Sequence, residues 1–386
     1  MKDLIYIWYD ECRTVLRDRG ILIFIVFVPL AYPLLYSYVY TNEVCRDVPV
    51  AVVDECNSQL SREFISNVDG TPDAKVIGCY RTVNEAEEQV KLHNAYGIIR
   101  IPESFNHDLQ QGKQTSIGLY TDLSSMLYYK ALLLACTDVS LEMNNNIRVE
   151  RTVATTERDA EVAKTPILYE NVSLYNPQGG FAAFLIPPIL MLIIQQTLLL
   201  GIGMEMGNTR EKYRGSVIPF DFHYKRIMPV VWGKALFYLP IYFIEGVYMI
   251  TFVNHTFHLP QIGNYWTCLA FLVPYILACT FFAITLSSLI YRREDCILIF
   301  VFMSVPMVFL SGVSWPTSAM PTFWKVVSWL FPSTFGMNAY PRIMTMGCNL
   351  HYIAPLYMAV WIQVAVYFAT ACWVYLRNIR KMFHSA

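Results

Sequence analysis

Charged side chains are scarce in this sequence of 386 residues. Asp, Glu, Lys and Arg make up 15% of the chain, whereas soluble globular proteins usually carry about 25%. Hydrophobic residues make up 55%, and the mean hydropathy is positive. This balance argues against an ordinary soluble domain and indicates a protein that crosses a membrane.

Motifs for several common chemistries are also missing. The ten cysteines form no Cys-x-x-Cys pair and no Cys/His cluster at zinc spacing, so no metal site is predicted. The phosphate-binding pattern GxxxxGK followed by Ser or Thr does not occur, because the Gly-Lys pairs at Gly112 and Gly233 lack its other residues. We therefore expect no cofactor on this chain, and any ATP with its Mg²⁺ to be bound and hydrolysed by another chain.

Long apolar runs dominate the sequence instead. A helix needs about 20 mainly apolar residues to cross the hydrocarbon core. Six segments qualify as spans: residues 21–40, 181–204, 233–253, 266–290, 296–315 and 353–376. The alternative for the first is a cleaved signal peptide, since Arg13, Arg17 and Arg19 precede it. Its length, Pro29 and Pro33 favour a retained anchor, and no small-residue cleavage site follows.

The placement of Lys and Arg gives the orientation, because positively charged short loops stay in the cytoplasm. With the N-terminus inside, residues 1–20, the loop 205–232, Arg292–Arg293 and the tail 377–386 are cytoplasmic, and all contain Lys or Arg. The connection at residues 254–264 then lies outside and has no Lys or Arg, and residues 311–350 have two. We therefore predict that both termini are cytoplasmic.

Residues 41–180 form a large insertion between the first two spans, on the extracytoplasmic side. Residues 43–170 have 12 Lys and Arg against 20 Asp and Glu, a net charge of −8, while the rest of the chain has +7. Four β-type runs, VPVAVVD, AKVIGCY, YGIIRIPESF and TSIGLYTD, alternate with helical patterns. Ser58 and Thr82 are placed to cap two helices, the second with Glu85 in a capping box. The pattern predicts a small α/β domain.

The cysteines and histidines of this domain give no firm chemistry. Five cysteines would lie outside, where disulfides are permitted: Cys45, Cys56, Cys79, Cys136 and Cys348. The sequence is compatible with one or two disulfide bonds and equally with reduced structural cysteines. His93 and His107 stand alone, so an extracytoplasmic enzyme is only a minor alternative.

The predicted fold class is therefore an α-helical membrane protein with six transmembrane helices and an extracytoplasmic α/β domain inserted between helices 1 and 2. Residues 1–20 interleave apolar side chains such as Ile7, Trp8 and Val15 with charges. This favours an amphipathic helix on the inner membrane surface, the alternative being a simple charged flank. Residues 316–350 are rich in Pro and Trp, as is common at a membrane–water interface.

Three stretches resemble permease subunits of type-2 ATP-binding-cassette exporters. VPVAVVDECNSQLSREFISNV resembles the start of their external domain, and LYNPQGGFAAFLIPPILMLI resembles their Asn-Pro element entering span two. LSGVSWPTSAMPTFWKVVSWLFPSTFGMNAYPRI resembles the end of these proteins, which implies short re-entrant helices over residues 316–350. The resemblance covers the whole chain, in order and with the same number of spans.

In that family, the loop between spans two and three carries a coupling helix that docks on a cytosolic ATPase. The segment TREKYRGSVIP matches its pattern, and the matching residues are Arg210, Glu211, Arg214, Gly215, Ser216 and Pro219. Lys212 is an additional cation, Ser216 replaces the more usual Thr, and Gly233 with Lys234 matches the opening of span three. The resemblance implies that this loop transmits ATPase motion to the spans.

The alternative for this loop is a solvated basic segment that only enforces topology, since Lys and Arg there follow from the positive-inside rule. That rule does not require the neighbouring aromatic residues. These are Phe220, Phe222, His223 and Tyr224. Aromatic residues beside Arg are typical of protein interfaces, but they also occur at bilayer surfaces.

Three polar residues inside the spans are candidates for a substrate path. Glu245 is the one clear ionisable residue within a span, and a carboxylate there costs about 2.5–3.5 kcal/mol on insertion scales. It should face the bundle or a wet path, the alternative being a buried hydrogen-bonded Glu. Gln195 and Gln196 are weaker candidates, because amides often hold helices together.

The resemblance implies a permease half that pairs with a second copy or a close relative above two ATPase subunits. ATP hydrolysis in those subunits would drive export of a hydrophobic or amphipathic substrate across a bacterial inner membrane. The external domain would guide substrate away from the outer face or contact a periplasmic partner such as an adaptor protein. No enzymatic activity and no nucleic-acid partner are expected.

The competing hypothesis is a membrane-anchored receptor or scaffold whose external domain binds a ligand. An ion-coupled carrier is not favoured, since there is one lone intramembrane carboxylate and no inverted repeat of spans.

Overall fold

The computed structural model of the chain describes residues 2–151, 174–177, 179–213, 215–219 and 221–384. The chain divides into two compact units, Met1–Glu43 with Ser173–Ala386, and Val44–Val172. The first unit contains the long apolar helices and the second contains the sheet. The insertion that the sequence predicts, residues 41–180, includes this second unit and extends beyond it at both ends.

The helices are numbered in chain order. They are α1 (Lys2–Arg17), α2 (Arg19–Val39), α3 (Gln59–Asp69), α4 (Val83–Lys91), α5 (Phe105–Gln110), α6 (Met126–Arg151), α7 (Phe181–Lys212), α8 (Ile227–Thr256), α9 (Tyr265–Ser287), α10 (Arg293–Leu310), α11 (Thr322–Ser328), α12 (Pro332–Met344) and α13 (Ala354–His384). Helix α2 contains a π-helical turn at Ile23–Phe27, and α8 contains one at Met249–Val253. Short 3₁₀ turns occur at Phe222–Lys225 and Thr317–Ala319.

Five helices of the described residues are long and apolar enough to cross a membrane, namely α2, α7, α8, α9 and α13. The remaining predicted span, 296–315, corresponds to α10. This helix has 18 residues and begins with the charged residues Arg293, Glu294 and Asp295, which shortens its apolar part. The helical membrane character predicted from the sequence is confirmed, and a sixth crossing stays a prediction.

Helix α7 forms the centre of the helical unit. In its most apolar window 83% of the residues are buried, against 28% in both α2 and α13. A helix that is apolar and buried all round is a core helix, whereas one with an exposed apolar face is peripheral. Helices α2 and α13 therefore lie at the edge of the bundle, with part of their apolar surface exposed.

Glycines allow close approach between helices in this bundle. A Cβ at Gly201 of α7 would overlap the Ile25 side chain in the π-helical turn of α2. A Cβ at Gly246 of α8 would overlap Leu272 of α9. Small residues at such crossings let helices pack tightly in the absence of a hydrophobic driving force between them.

The second unit has a four-stranded sheet built from β1 (Val48–Asp54), β2 (Ala74–Tyr80), β3 (Gly97–Ile101) and β4 (Gly118–Thr121), in the order β2-β1-β3-β4. Strand β1 is parallel to β2 and β3, and β4 is antiparallel to β3. Because parallel strands need crossover connections, helices alternate with the strands. The four predicted strands and the α/β character of this segment are confirmed.

The turn after β1 is organised by Asp54. Its side chain accepts hydrogen bonds from the backbone N–H groups of Cys56 and Asn57 and from the Ser61 hydroxyl. The Ser58 side chain accepts from Ser61 N, and the Ser61 side chain accepts from Ser58 N, which forms a capping box at α3. The predicted cap at Ser58 is confirmed.

The cap at α4 differs from the prediction in one bond. Thr82 accepts from Glu85 N at 3.3 Å, as predicted. The Glu85 carboxylate, however, accepts from the backbone N–H of Arg81 rather than from that of Thr82. The donor of the reciprocal bond is therefore the backbone N–H of the residue before the cap.

Replacing Ser58 with Ala should destabilise α3 by about 1 kcal/mol, because the helix N-terminus loses its side-chain acceptor. Hydrogen exchange of the amides of residues 59–69 in the full chain would show faster exchange. Ser66→Ala, on the exposed side of the same helix, is the matched control and should leave exchange unchanged. Equal exchange in both variants would contradict the role of the cap.

Candidate functional site

The N-terminal helix α1 packs on the beginning of α8. Its buried residues Ile7, Glu11 and Val15 are spaced four apart, so they share one face of the helix. A Cβ at Gly233 would lie 2.9 Å from Ile7 Cγ2 and 3.3 Å from the Leu4 carbonyl oxygen. Glycine at position 233 therefore allows α1 to lie directly against α8.

A cluster of buried charges joins α1, α7 and α8 at this contact. Lys234 Nζ lies 2.7 Å from Glu11 Oε2 and 2.7 Å from Glu205 Oε2. Tyr238 OH donates to Glu11 Oε1 at 2.9 Å, and Thr209 Oγ1 donates to Glu205 Oε1 at 2.9 Å. The three charged residues are at most 4% exposed. These five residues are called the Lys234 cluster below.

The cluster holds two carboxylates and one ammonium group. Burial raises the pKa of the Glu11 carboxyl, and the nearby charge of Glu205 acts in the same direction, whereas Lys234 and Tyr238 oppose the shift. Because Glu11 and Glu205 share one cation, the cluster carries an excess negative charge when both carboxylates are ionised. Protonation of Glu11 therefore balances the charge.

The loop that precedes α8 is also attached to α1. Tyr224 OH donates to Asp10 Oδ2 at 2.8 Å, and His223 Nδ1 lies 3.0 Å from Asp3 Oδ1. The His223 ring stacks on Tyr6 with centroids 4.1 Å apart. The hydrogen bond from His223 lowers the pKa of the Asp3 carboxyl. His223 and Tyr224, two of the aromatic residues after the basic motif, thus hold α1 in place.

A second ion pair ties the beginning of α2 to the beginning of α10. Arg293 Nη1 and Nη2 donate to Asp18 Oδ2 and Oδ1 at 2.8 and 2.7 Å. Asp18 also accepts from Gly20 N and Ile21 N. Partial burial acts to raise the pKa of Asp18, but these hydrogen bonds outweigh it and lower that pKa. A Cβ at Gly207 of α7 would lie 2.9 Å from Arg293 N. The Asp18–Arg293 pair therefore sits against α7.

The predicted coupling residues have different environments. Arg210 is 7% exposed. Its guanidinium donates to the carbonyl oxygens of Ser288 and Ile290 and lies 4.8 Å from the Tyr291 ring centroid. Glu211 is exposed, and its Oε1 accepts from Arg293 N at 3.2 Å. Arg210 therefore braces the connection between α9 and α10, whereas Glu211 faces outward beside the Asp18–Arg293 pair.

The rest of the motif forms a turn after α7. Lys212 is exposed, and Arg214 lies outside the described residues. Gly215 has a φ of +92°, which an L side chain rarely adopts. Ser216 Oγ donates to the Ile218 carbonyl oxygen at 2.8 Å and accepts from Ile218 N at 3.2 Å, and Pro219 follows. Among the described residues after Glu211, Lys212 at the end of α7 and Gly215 in the turn are exposed.

Of the three polar residues predicted in the spans, two meet at one point. Gln195 and Gln196 both donate to Met307 Sδ, at 3.2 and 3.1 Å. Gln195 also accepts from Ser333 N. Glu245 is 4% exposed, and neither of its carboxylate oxygens has a hydrogen-bond partner within the described part of the chain. Within the described residues, no hydrogen bond therefore joins Glu245 to the glutamine pair.

Gln196 also lines a cavity of about 430 Å³ between α2, α7 and α10. Its polar lining residues are Tyr32, Tyr36, Gln196, Thr197 and Ser304, and its other lining residues are apolar. Gln195 and Glu245 do not line it. The cavity offers an apolar surface with a few hydroxyl and amide groups.

Sequence reasoning did not identify Glu11 and Glu205 as functional residues. In the sequence, Lys234 stands out only as part of the Gly-Lys pair that opens span three. Their positions in the sequence could have identified them. Glu11 lies between Ile7 and Val15 on the apolar face of α1, and Glu205 directly follows an apolar run. A carboxylate in such a place needs a cation, and its partner here is distant in sequence.

Comparisons with known proteins agree with this architecture. A family profile described as "ABC-2 family transporter protein" matches residues 19–373. ABC transporter G family member 20 of Dictyostelium discoideum is 24% identical over 370 residues, which cover 92% of this chain. The chain spans about half of that relative, 48% of its length. Inner membrane transport permease YhhJ of Escherichia coli (strain K12) is 20% identical over 392 residues, 99% of each chain.

Replacing Lys234 with Met should destabilise the protein by about 3–5 kcal/mol, because two buried carboxylates lose their cation. Denaturant unfolding in mild detergent would measure the cost. Adding Glu11→Gln and Glu205→Gln to Lys234→Met should restore much of the stability, since no unpaired charge remains. Lys212→Met removes an exposed cation and is the control. A similar stability for the two single variants would contradict the role of the cluster.

The Lys234 cluster should also make stability depend on pH. Burial raises the pKa of Glu11 in the folded state. The protonated Glu11 side chain therefore makes its full contribution to the free energy of unfolding at a pH below the usual titration range of a glutamate. That contribution is lost as the pH rises through the raised value. Glu11→Gln mimics the protonated side chain, so its thermal unfolding temperature should vary less with pH over this range. Parallel pH profiles for the variant and the wild type would refute the prediction.

Proposed function

The chain belongs to the ABC-2 family of transporter proteins, and on that premise we propose that it is the transmembrane permease subunit of an exporter. ATP hydrolysis in a separate ATPase subunit, which binds ATP and Mg²⁺, drives the transport. The permease moves a hydrophobic or amphipathic substrate outward and performs no covalent chemistry of its own. It is a multi-pass protein of a bacterial inner membrane with six crossings and both termini in the cytoplasm.

One observation carries this proposal: the predicted coupling loop is joined to three helices by buried or paired charges. The Lys234 cluster links α7, which leads into the loop, to α1 and to α8, which leaves it. Arg210 links the end of α7 to the connection between α9 and α10. A displacement of the loop must therefore move helix ends rather than be lost in a flexible segment.

The exposed part of the loop supports a docking role. Glu211, Lys212 and Gly215 face outward at the end of α7, and Ser216 and Pro219 shape the turn that presents them. We propose that Lys212, together with Arg214, contacts the ATPase. Arg210 acts through the helix ends that it braces and need not touch the partner.

The cavity between α2, α7 and α10 supports a path for an apolar or amphipathic substrate. Its walls are mainly apolar, and Gln196 supplies an amide at its surface. We propose that Gln195 positions Gln196 through their shared contact with Met307. Glu245, which has no partner within the described residues, is a separate polar group that a change of helix packing would bring to the path.

Exposed apolar side chains support a dimeric permease. Phe27 of α2 is 64% exposed, and Phe302 of α10 is 75% exposed. Helices α2 and α10 both border the cavity. A second copy or a close relative packed on these helices would cover the side chains and enclose the cavity, and lipid would cover the remaining apolar surface. The unit Val44–Val172 lies outside the membrane and guides substrate or contacts a periplasmic adaptor protein.

Affinity purification of the tagged protein from mild-detergent membranes tests the proposal. We expect a stoichiometric ATPase to co-purify. The double charge reversal Lys212→Glu with Arg214→Glu should reduce the retained ATPase by about tenfold or more, because charge repulsion at an interface costs several kcal/mol. Arg210 is left unchanged, since its reversal would break buried hydrogen bonds.

Lys130→Glu, an exposed charge reversal in the other unit, is the matched control and should retain the ATPase. Retention of the ATPase by the double variant would refute docking through Lys212 and Arg214. A protein that purifies without any ATPase, even after cross-linking, would favour the receptor or scaffold hypothesis.

A further inference from the structure

A second cavity lies at the end of α2 that is remote from the Lys234 cluster. It has a volume of about 640 Å³ and is lined in part by Thr41, Glu43, Tyr175, Phe257 and His258. This volume falls within the range of small-molecule binding sites, about 300–1,000 Å³. All of its described lining residues belong to the helical unit.

A small recess borders this cavity and shares Thr41, Glu43 and Phe257 with it. The volume of the recess is about 30 Å³, enough for a single water or a group of that size. Ser37 lines the recess and is 1% exposed, and its hydroxyl has no hydrogen-bond partner within the described residues. A buried hydroxyl without a partner calls for an occupant that can hydrogen-bond with it.

Glu43 places a carboxylate at the boundary between the two spaces. Partial burial raises the pKa of this group, and none of the described side chains pairs with it. Its backbone carbonyl accepts from Phe181 N at 2.9 Å. A Cβ at Gly180 would overlap the Glu43 carboxylate, so glycine at position 180 leaves room for the carboxylate. The backbone bond and this close packing hold Glu43 in position.

We propose that the cavity and its recess form a binding site for a ligand that carries a primary ammonium group on an apolar or aromatic body. The ammonium group enters the recess, where it pairs with the Glu43 carboxylate and donates to the Ser37 hydroxyl. The body of the ligand occupies the larger cavity beside Tyr175 and Phe257. The site does not depend on ATP or on the ATPase partner.

The chemistry of the lining favours an amine over other occupants. An anion would be repelled by Glu43. A metal ion would need several oxygen or nitrogen ligands, and no group of three His, Cys, Asp or Glu suited to a metal occurs among the described residues. Aromatic side chains attract organic cations through their ring faces. A quaternary ammonium group is too large for the recess, whereas the small head of a primary amine fits it.

Equilibrium binding of tritiated tryptamine to the full chain in lipid nanodiscs tests the site. Tryptamine carries a primary ammonium group on an aromatic body. Unlabelled tryptamine should compete for the site. Tryptophol, which replaces the ammonium group with a hydroxyl, and N,N,N-trimethyltryptammonium, which enlarges it, should compete at least about tenfold less well, since each loses the charged pair in the recess.

Two variants locate the binding site. Glu43→Gln removes the charge and should weaken tryptamine binding by about tenfold or more. Gly180→Ala keeps the charge but displaces the carboxylate, so it should weaken binding as well. Asp47→Asn, which neutralises an exposed carboxylate four residues further along the chain, is the matched control and should bind like the wild type.

The absence of saturable binding to the wild type would overturn the proposal. So would binding that Glu43→Gln changes by less than about twofold, or tryptophol competing as well as tryptamine. If Glu43→Gln does not fold, as judged by its thermal unfolding, Gly180→Ala decides by the same criterion.

Discussion

The buried ion cluster around Lys234 is the interaction on which the helical unit depends. A buried ion pair is weak evidence for stability as such, because the cost of removing charges from water offsets their attraction. Its effect is specificity: each of its partners is satisfied in only one arrangement of the helices. Lys234 reaches both carboxylates only when α1 lies on α8 and the end of α7 lies beside them. Gly233 makes that arrangement sterically possible, and Ile7 and Val15 provide the apolar contact around it.

The two ends of the helical unit differ in how their polar groups are satisfied. At the Lys234 end, Glu11, Glu205, Asp18 and Arg293 all have charged partners within 3 Å, and Arg210 is bound by carbonyl oxygens. At the other end of α2, Ser37 and Glu43 line a small recess, and their side chains have no partner among the described residues. Satisfied charges make an end rigid and suited to transmitting force. Unsatisfied polar groups beside a cavity make an end suited to binding.

The extent of prediction from sequence differs between local and distant contacts. The strands, the cap at Ser58 and the apolar helices follow from patterns within a few residues, and the structure confirms them. The capping bond of Glu85 shifted by one residue because Arg81 N competes with Thr82 N for the same carboxylate. Arg210 shows the limit more clearly. Its sequence context is a basic loop, yet it is buried, because it folds back on carbonyl groups some 80 residues away.

The sequence alone determined that this chain is a helical membrane protein with an inserted α/β segment, because hydropathy and strand periodicity are properties of neighbouring residues. Its resemblance to type-2 exporter permeases also predicted a coupling role for the segment TREKYRGSVIP. Only the tertiary structure decided which charges pair. Glu11 and Lys234 are 223 residues apart, and nothing in either local pattern specifies the other. A buried carboxylate needs a cation beside it, but only the packing of α1 on α8 determines that the cation for Glu11 is Lys234.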